Sequence, residues 1–530
     1  MSERTAVGIV VLTLLLGAGY LYSRPPAARD VLAAQQSAPP GGGRAQAPAR
    51  GGGGRSGRSA YEPTLWMPDD QFLRWPFTDP QYRKLDGFAI KKYIDEITAI
   101  SRKSRDDGNQ YWGRIAGTPY DKMTTDWVAA QYKRIGLEQV RVQEFTLPPQ
   151  WYPASWDVKA ASTTGASDGK RVVPIRTAFP LYASVGTKGS EEWDAVWVGT
   201  GLPADFIGRD VRGKAAVIYG FPNPGGRENT ASTFGSIATA ERAGAAAVFI
   251  VLGVPGNVTN EPAGGQTVAP AGVPVFVIGN QDGTAIREMI ETGQAPKIQA
   301  RLQVEMRAGL KSASVFGVLP GATDEHVAVM AHTDSFFEGA MDNASGIATN
   351  VTLAEFFASV PKAQRRRTMT FFTTSAHHSP SGPDGGTAWI KANMKDMLAK
   401  TAVLVNCEHT AQVATFVVGG SLVASNTVSA RRWFVGGSDQ LKAIVTKTFR
   451  EYGIAIYSRP EVRPGGELGP MSVEAPSFHI IDHTVYHTDL DTLQAVPAYG
   501  LEQSARAFAK IIDEVNKLPL AQLRMNIPTQ

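Results

Sequence analysis

All eight histidines of the 530-residue chain lie between His326 and His487. Imidazoles and carboxylates are the usual nitrogen and oxygen donors for a zinc-type ion, so a segment that concentrates both can hold a metal. The stretch AHTDSFFEGAMDNASG is the strongest signal. His332 closes an apolar run, and Asp334, two residues on, can orient an imidazole as an outer carboxylate. Asp342 follows in a turn rich in Gly, Asn and Ser that leads into a helix, where a carboxylate can bridge two metals. The competing reading is an ordinary loop with a helix cap at Asp342 or Asn343. A second signal, YHTDLDT (486–492), sets His487 among acids, although a single histidine there is more often structural. His377-His378 and Glu408-His409 each follow an apolar run. Strand neighbours point to opposite faces, so either Glu408 or His409 can turn to the site. Cys407, the one cysteine, cannot form an intrachain disulfide and reads as a buried, inert thiol. His479 and His483 read as core or surface residues, and Arg431-Arg432 as a solvated basic turn.

These residues need a frame. From His326 onward, strand-like and helical patterns alternate: 326–334, a helix over 344–359, 366–376, a helix over 387–397, and 402–410. Helical spacing recurs over 438–452 and 501–516. Such alternation predicts an α/β fold with a mixed, mostly parallel sheet sandwiched by helices. Ligands in such sheets gather at the carboxyl ends of the strands, which is where these polar residues fall. Upstream, helical spacing over 90–100 and 125–135 precedes a strand at 140–147.

Between about 166 and 309 the texture changes to short β-rich runs: 194–199, 213–221, 245–253 and 273–280. Two helices, 233–243 and 283–291, lie among them. The stretch has no histidine and no carboxylate pair at a strand end, so it reads as a non-catalytic insert. At the other extreme, residues 6–23 are uncharged and mostly apolar, on the border between a signal-peptide core and a membrane anchor. Residues 24–60 are rich in Pro, Gly, Gln and Ala and read as a disordered spacer, too poor in apolar side chains to offset the entropy of ordering. The net charge of +4 is uneven: residues 1–60 carry seven Arg against Glu3 and Asp30, which leaves the rest at −1. A near-neutral folded part excludes an electrostatic case for nucleic acid.

Together the motifs resemble a zinc aminopeptidase family that includes bacterial leucyl aminopeptidases, carboxypeptidase Q, glutaminyl cyclase and the transferrin receptor ectodomain. The resemblance spans roughly 88–516. It includes GRIAGTP (113–119) and the insert, which looks like a protease-associated domain. It implies a peptidase domain in two parts, 61–165 and 310–520, around an insert at 166–309, the later part carrying the metal site. It also implies one or two zinc ions held by His332, Asp342, His378, Glu408 and His487, with Asp334 as the orienting carboxylate. An unusual peptide geometry at Asp342-Asn343 is implied too. Where the family has Glu-Glu, this chain has His377-His378. The first position is the family's general base, and imidazole, with an ordinary pKa of ~6.5, can serve there. The second is a metal ligand, which histidine can replace. The expected function is an exported exopeptidase of aminopeptidase or dipeptidase type acting on peptides. The alternatives are an inactive binding or scaffold protein and a single-zinc acyltransferase of the glutaminyl cyclase type. Periplasmic or extracellular placement is expected, with or without a tether through 6–23.

Overall fold

The computed structural model describes residues 67–527 except 78, 165–170, 221–232, 262–270, 419–420 and 482–484. The expected leader or anchor, the spacer and His483 lie outside the described residues. Among the described residues no helix is long and apolar enough to cross a membrane.

A seven-stranded sheet runs in the order Glu138–Thr146, Lys311–Leu319, Arg367–Thr374, Thr323–His332, Thr401–Asn406, Ser477–Ile481 and Arg432–Gly436. The four strands from Arg367–Thr374 to Ser477–Ile481 are parallel, and the flanking pairings are antiparallel. The fold is thus the expected mixed α/β sheet. Both faces are covered, which explains why Val327 to Ala331 form an unbroken apolar run. Val327, Val329 and Ala331 join the core beneath helices Gly87–Asp106, Pro119–Ile135, Ser345–Ala358 and Ala498–Asn516. Ala328 and Met330 point the other way, toward Ile390, Met397, Leu468 and Met471.

The register sets the site. His332 pairs with Thr374, and Met330 with Asn406. Three parallel strands therefore end at one level, and the residues after them emerge side by side. Helix Ser345–Ala358 approaches this edge closely: a Cβ on Gly346 would lie 2.0 Å from the Cys407 carbonyl oxygen, so only glycine allows the contact.

A separate eight-stranded sheet takes in Val172–Pro174, Gln150–Ala161, Lys297–Arg307, Glu191–Trp197, Ala215–Gly220, Ala247–Leu252, Val275–Ile278 and Phe179–Pro180, in that order. The β-rich runs read as an insert are among its strands. Gln150–Ala161 belongs to it as well, which moves the sequence boundary from 166 back to about 150. The reason is a long antiparallel ladder with Lys297–Arg307, from Gln150 opposite Arg307 to Ala161 opposite Lys297. The chain leaves and returns at adjacent points, where Leu147 N–H donates to the Leu310 carbonyl at 2.8 Å.

Candidate metal centre

Sharp turns follow the aligned strand ends. Ala376 and His409 adopt left-handed backbone conformations, with φ of 61° and 47°. Non-glycine residues seldom do so, and such turns are held only where surrounding contacts enforce them. The loop from Thr333 to Asp342 is enforced by Arg114, from GRIAGTP. Its fully buried guanidinium donates to the carbonyls of Thr333 (2.9 Å), Glu338 (3.0 Å) and Gly339 (3.1 Å). Gly113 bridges to Phe336. Asp491 completes the support by accepting from Met341 N–H at 2.6 Å and Asp342 N–H at 3.0 Å. Burial pushes the Asp491 carboxyl up to about 7. Asp491→Ala strands two buried donors at about 1–3 kcal/mol each, so the full chain should lose about 2–6 kcal/mol in urea denaturation. A loss below ~1 kcal/mol would show that water replaces the carboxylate.

Asp342 stands at the centre, and its peptide bond to Asn343 is cis. Oδ1 lies 3.0 Å from His332 Nε2 and 3.2 Å from His409 Nε2. Oδ2 lies 3.2 Å from His487 Nε2 and 3.4 Å from His378 Nε2. All five side chains are buried. Both Asp342 oxygens, and Nε2 of His332, His378 and His487, make no hydrogen bond of proper geometry. The reason lies on the far side of each ring. His332 Nδ1 faces the Asp334 carbonyl at 3.1 Å, His378 Nδ1 the Asp334 carboxylate at 3.1 Å, and His487 Nδ1 the Glu261 carbonyl at 3.2 Å. With Nδ1 donating, each Nε2 turns a lone pair toward the carboxylate. Lone pairs cannot face a carboxylate in a dry interior without a cation or a proton between them. Donors about 2.0–2.2 Å from a shared ion lie roughly 3 Å apart, as these do. The residues fit a metal.

The electrostatics agree. Burial alone would raise the Asp342 carboxyl, but His378, His409 and His332 outweigh it and hold it well below the usual carboxylate range. Burial lowers His378, yet Asp342 and Asp334 bring it up to about 9, so without a metal a proton takes the cation's place. His377 behaves oppositely: burial and the neighbouring positive charges of His332 and His378 push it down to about 3. Its ring stacks on His332 with centroids 4.3 Å apart, and its Nδ1 lies 3.3 Å from Glu467 Oε1.

Residues 314–512 match the family model described as Peptidase family M28. The chain is 23% identical over 454 aligned residues to a probable glutamate carboxypeptidase from Zea mays, covering 73% of this chain and 61% of that one. An M28 peptidase precursor from Shewanella amazonensis shares 19% identity and a TM-score of 0.64, covering 85% of this chain and 98% of its own. A zinc aminopeptidase from Bacillus subtilis shares 19% identity and a TM-score of 0.57, covering 84% and 99%. At these identities the solved structures establish the fold.

The structure brings His332, Asp342, His378 and His487 together, while Glu408 stands apart from Asp342. His409 takes its place against Asp342. Glu408 turns instead toward His332, His377 and Glu467, all four offering donor atoms within 4.8 Å of one another. The strand has ended at Asn406, and the left-handed turn at His409 sets which of the two neighbours faces Asp342. Asp334 also differs from expectation. Its carboxylate serves the His pair, accepting from the backbone N–H of His377 (3.0 Å) and His378 (2.9 Å), while His332 Nδ1 lies 3.1 Å from its backbone carbonyl and 3.7 Å from its carboxylate. Glu467 and Glu261 were not legible as site residues; each is a lone acid in a Gly/Pro-rich loop. Arg431 is buried rather than solvated, donating to the His409 carbonyl at 2.8 Å. Cys407 is buried, and burial raises its thiol far above the ordinary value. Beside the centre a pocket of about 390 Å³ is lined by His377, Glu408, Arg432, Arg463, Gly466 and His479, with Arg432 paired to Glu461.

Proposed function

We propose that this chain is an exported metal-dependent exopeptidase, of aminopeptidase or dipeptidase type, that uses zinc and a His-His pair in place of Glu-Glu. The observation that carries the reading is Asp342, whose two oxygens each face their own imidazoles. Asp342, His378 and His487 would hold one ion, and Asp342 with His332 and His409 would hold a second. When bound, zinc supplies Lewis-acid polarisation of a carbonyl and a more acidic water. The chain's own residues do the rest. Asp334 holds both members of the His pair in place. Glu467 fixes the His377 ring at Nδ1, and His377 Nε2 takes a proton and returns it to the leaving amine. The pocket has room for a residue or two of a peptide, and its Arg432-Glu461 wall positions substrate. The segment from about 150 to 307 is a protease-associated domain that roofs the cleft and limits substrate size. Export rests on the apolar segment 6–23.

The test is metal analysis of the purified full chain, followed by a screen of aminoacyl and dipeptide substrates with zinc, cobalt or manganese. Bound metal with release of single residues or dipeptides is expected. Peptide binding without cleavage under any of these metals would decide for an inactive binder. Because His378 stands at about 9 without metal, zinc must displace its proton at neutral pH. Zinc affinity should therefore rise from pH 6 to 8, by about tenfold per pH unit for each proton displaced. A flat profile would mean that His378 is not a ligand.

A further inference from the structure

His487 is held from outside the M28-matching segment. The loop after strand Ala247–Leu252, in the second sheet, runs alongside the His487 segment. Glu261 N–H donates to the His487 carbonyl at 2.9 Å, and Asn260 Nδ2 to the same carbonyl at 3.0 Å. Asp489 N–H donates to the Thr259 carbonyl at 3.1 Å, and Thr259 N–H to Asp489 Oδ1 at 3.1 Å. Asn260 and Thr488 form a bridge. This clamp grips a residue whose backbone is left-handed, with φ of 54° at His487. Within it the Glu261 side chain turns inward: Oε2 lies 3.1 Å from His487 Nδ1, and both side chains are only 2% exposed.

The two imidazoles on Asp342 Oδ2 are thus backed in the same way. His378 has Asp334 behind its Nδ1 at 3.1 Å, and His487 has Glu261 behind its own at 3.1 Å. A carboxylate in that position keeps the proton on Nδ1, aims the Nε2 lone pair at the ion and makes the ring a stronger donor. We propose that Glu261 is a positioning residue of the metal centre, so that the second-sheet segment is part of the metal site rather than only a cover over it. This rests on the metal reading of Asp342, His378 and His487. It also couples the two parts: whatever binds ion through His487 must tighten the 259–261 clamp, and loosening the clamp must weaken the ion.

The carboxylate can be separated from the backbone clamp, because Glu261→Gln keeps every main-chain bond and nearly the same volume. Zinc affinity of the full chain is measured by competition with a chromophoric chelator, alongside thermal unfolding of the metal-free protein. Glu261→Gln is expected to weaken one zinc by about 10–100-fold, the usual effect of losing an outer carboxylate, with the metal-free melting temperature little changed. Glu261→Asp should recover part of the loss. Hydrogen exchange gives a second readout: the Glu261 amide should become more protected when zinc is added to the wild type. Wild-type zinc affinity in Glu261→Gln, together with unchanged exchange at that amide, overturns the proposal while leaving the metal reading standing. A wild-type chain that binds no zinc overturns both. Should Glu261→Gln fail to fold, the exchange experiment on the wild type decides alone.

Discussion

Replacing His377 with alanine should lower turnover by about 10²–10⁴-fold, the usual share of a general base, while zinc content stays at the wild-type level. The expectation follows from where the ring's two nitrogens stand. Nδ1 faces the Glu467 carboxylate at 3.3 Å, which leaves Nε2 as the proton-carrying atom of a residue that lines the pocket. Burial and the positive charges of His332 and His378 bring its pKa down to about 3, so the imidazole stays neutral far into the acid range, at the expense of its basicity. Glu467→Gln should give a smaller loss of turnover in the same direction, since it removes the group that fixes the ring without removing the ring. The opposite result is equally informative. If His377→Ala sheds one equivalent of zinc, then His377 is a ligand, and the His332, His377, Glu408 and Glu467 cluster is itself a metal position. If neither turnover nor metal changes, the His pair has no catalytic part.

Particular residues show how much of this was legible in the sequence. The central sheet was readable because its strands are buried on both faces and so appear as unbroken apolar runs, as at Val327 to Ala331. His332 and His378 were readable because each comes within a few residues of such a run, and strand ends are where an α/β sheet places its ligands; Asp342 was readable from its Gly/Asn/Ser-rich turn before a helix. Glu408 stands apart from Asp342 for a local reason. Strand alternation distinguishes neighbours only while the strand lasts, and here the left-handed turn at His409 comes three residues after the last strand residue, Asn406. The boundary of the second sheet was missed because Gln150–Ala161 takes its partner, Lys297–Arg307, from more than a hundred residues away. Glu261 and Glu467 stand for the part that sequence patterns cannot reach. Neither has a periodic context, and each acquires its role only when tertiary packing brings a Gly/Pro-rich loop against a histidine. The one available sign was an isolated acid in an otherwise uncharged loop, NEPAGG or PGGELGP, a sign too common to select them.

Asp342→Asn should produce the largest loss of metal. The substitution preserves shape but removes the charge that both imidazole pairs face, and it points an amide at lone pairs or protons where a carboxylate stood. Deleting one partner of a buried charge cluster costs about 3–5 kcal/mol, equivalent to roughly 10²–10⁴-fold in zinc affinity. The metal-free protein should be destabilised too, and its pH dependence tests the same geometry. In the metal-free wild type, His378 stands at about 9 through Asp342 and Asp334, above its unfolded value of ~6.5. A raised base contributes stability that is full below about 6.5 and fades as pH rises toward 9. Asp342 is itself held well below its unfolded value of ~3.9, so its contribution is present above that value and lost as pH falls further. The two conditions overlap between about pH 4 and 6.5. Within that window the metal-free Asp342→Asn protein should fall furthest below the wild type in denaturant unfolding, and the gap should narrow steadily toward pH 9. A gap that widens with rising pH would mean that Asp342 is stabilised by its backbone contacts with Asp491 rather than by imidazoles, and the metal centre would have to be built around a different residue.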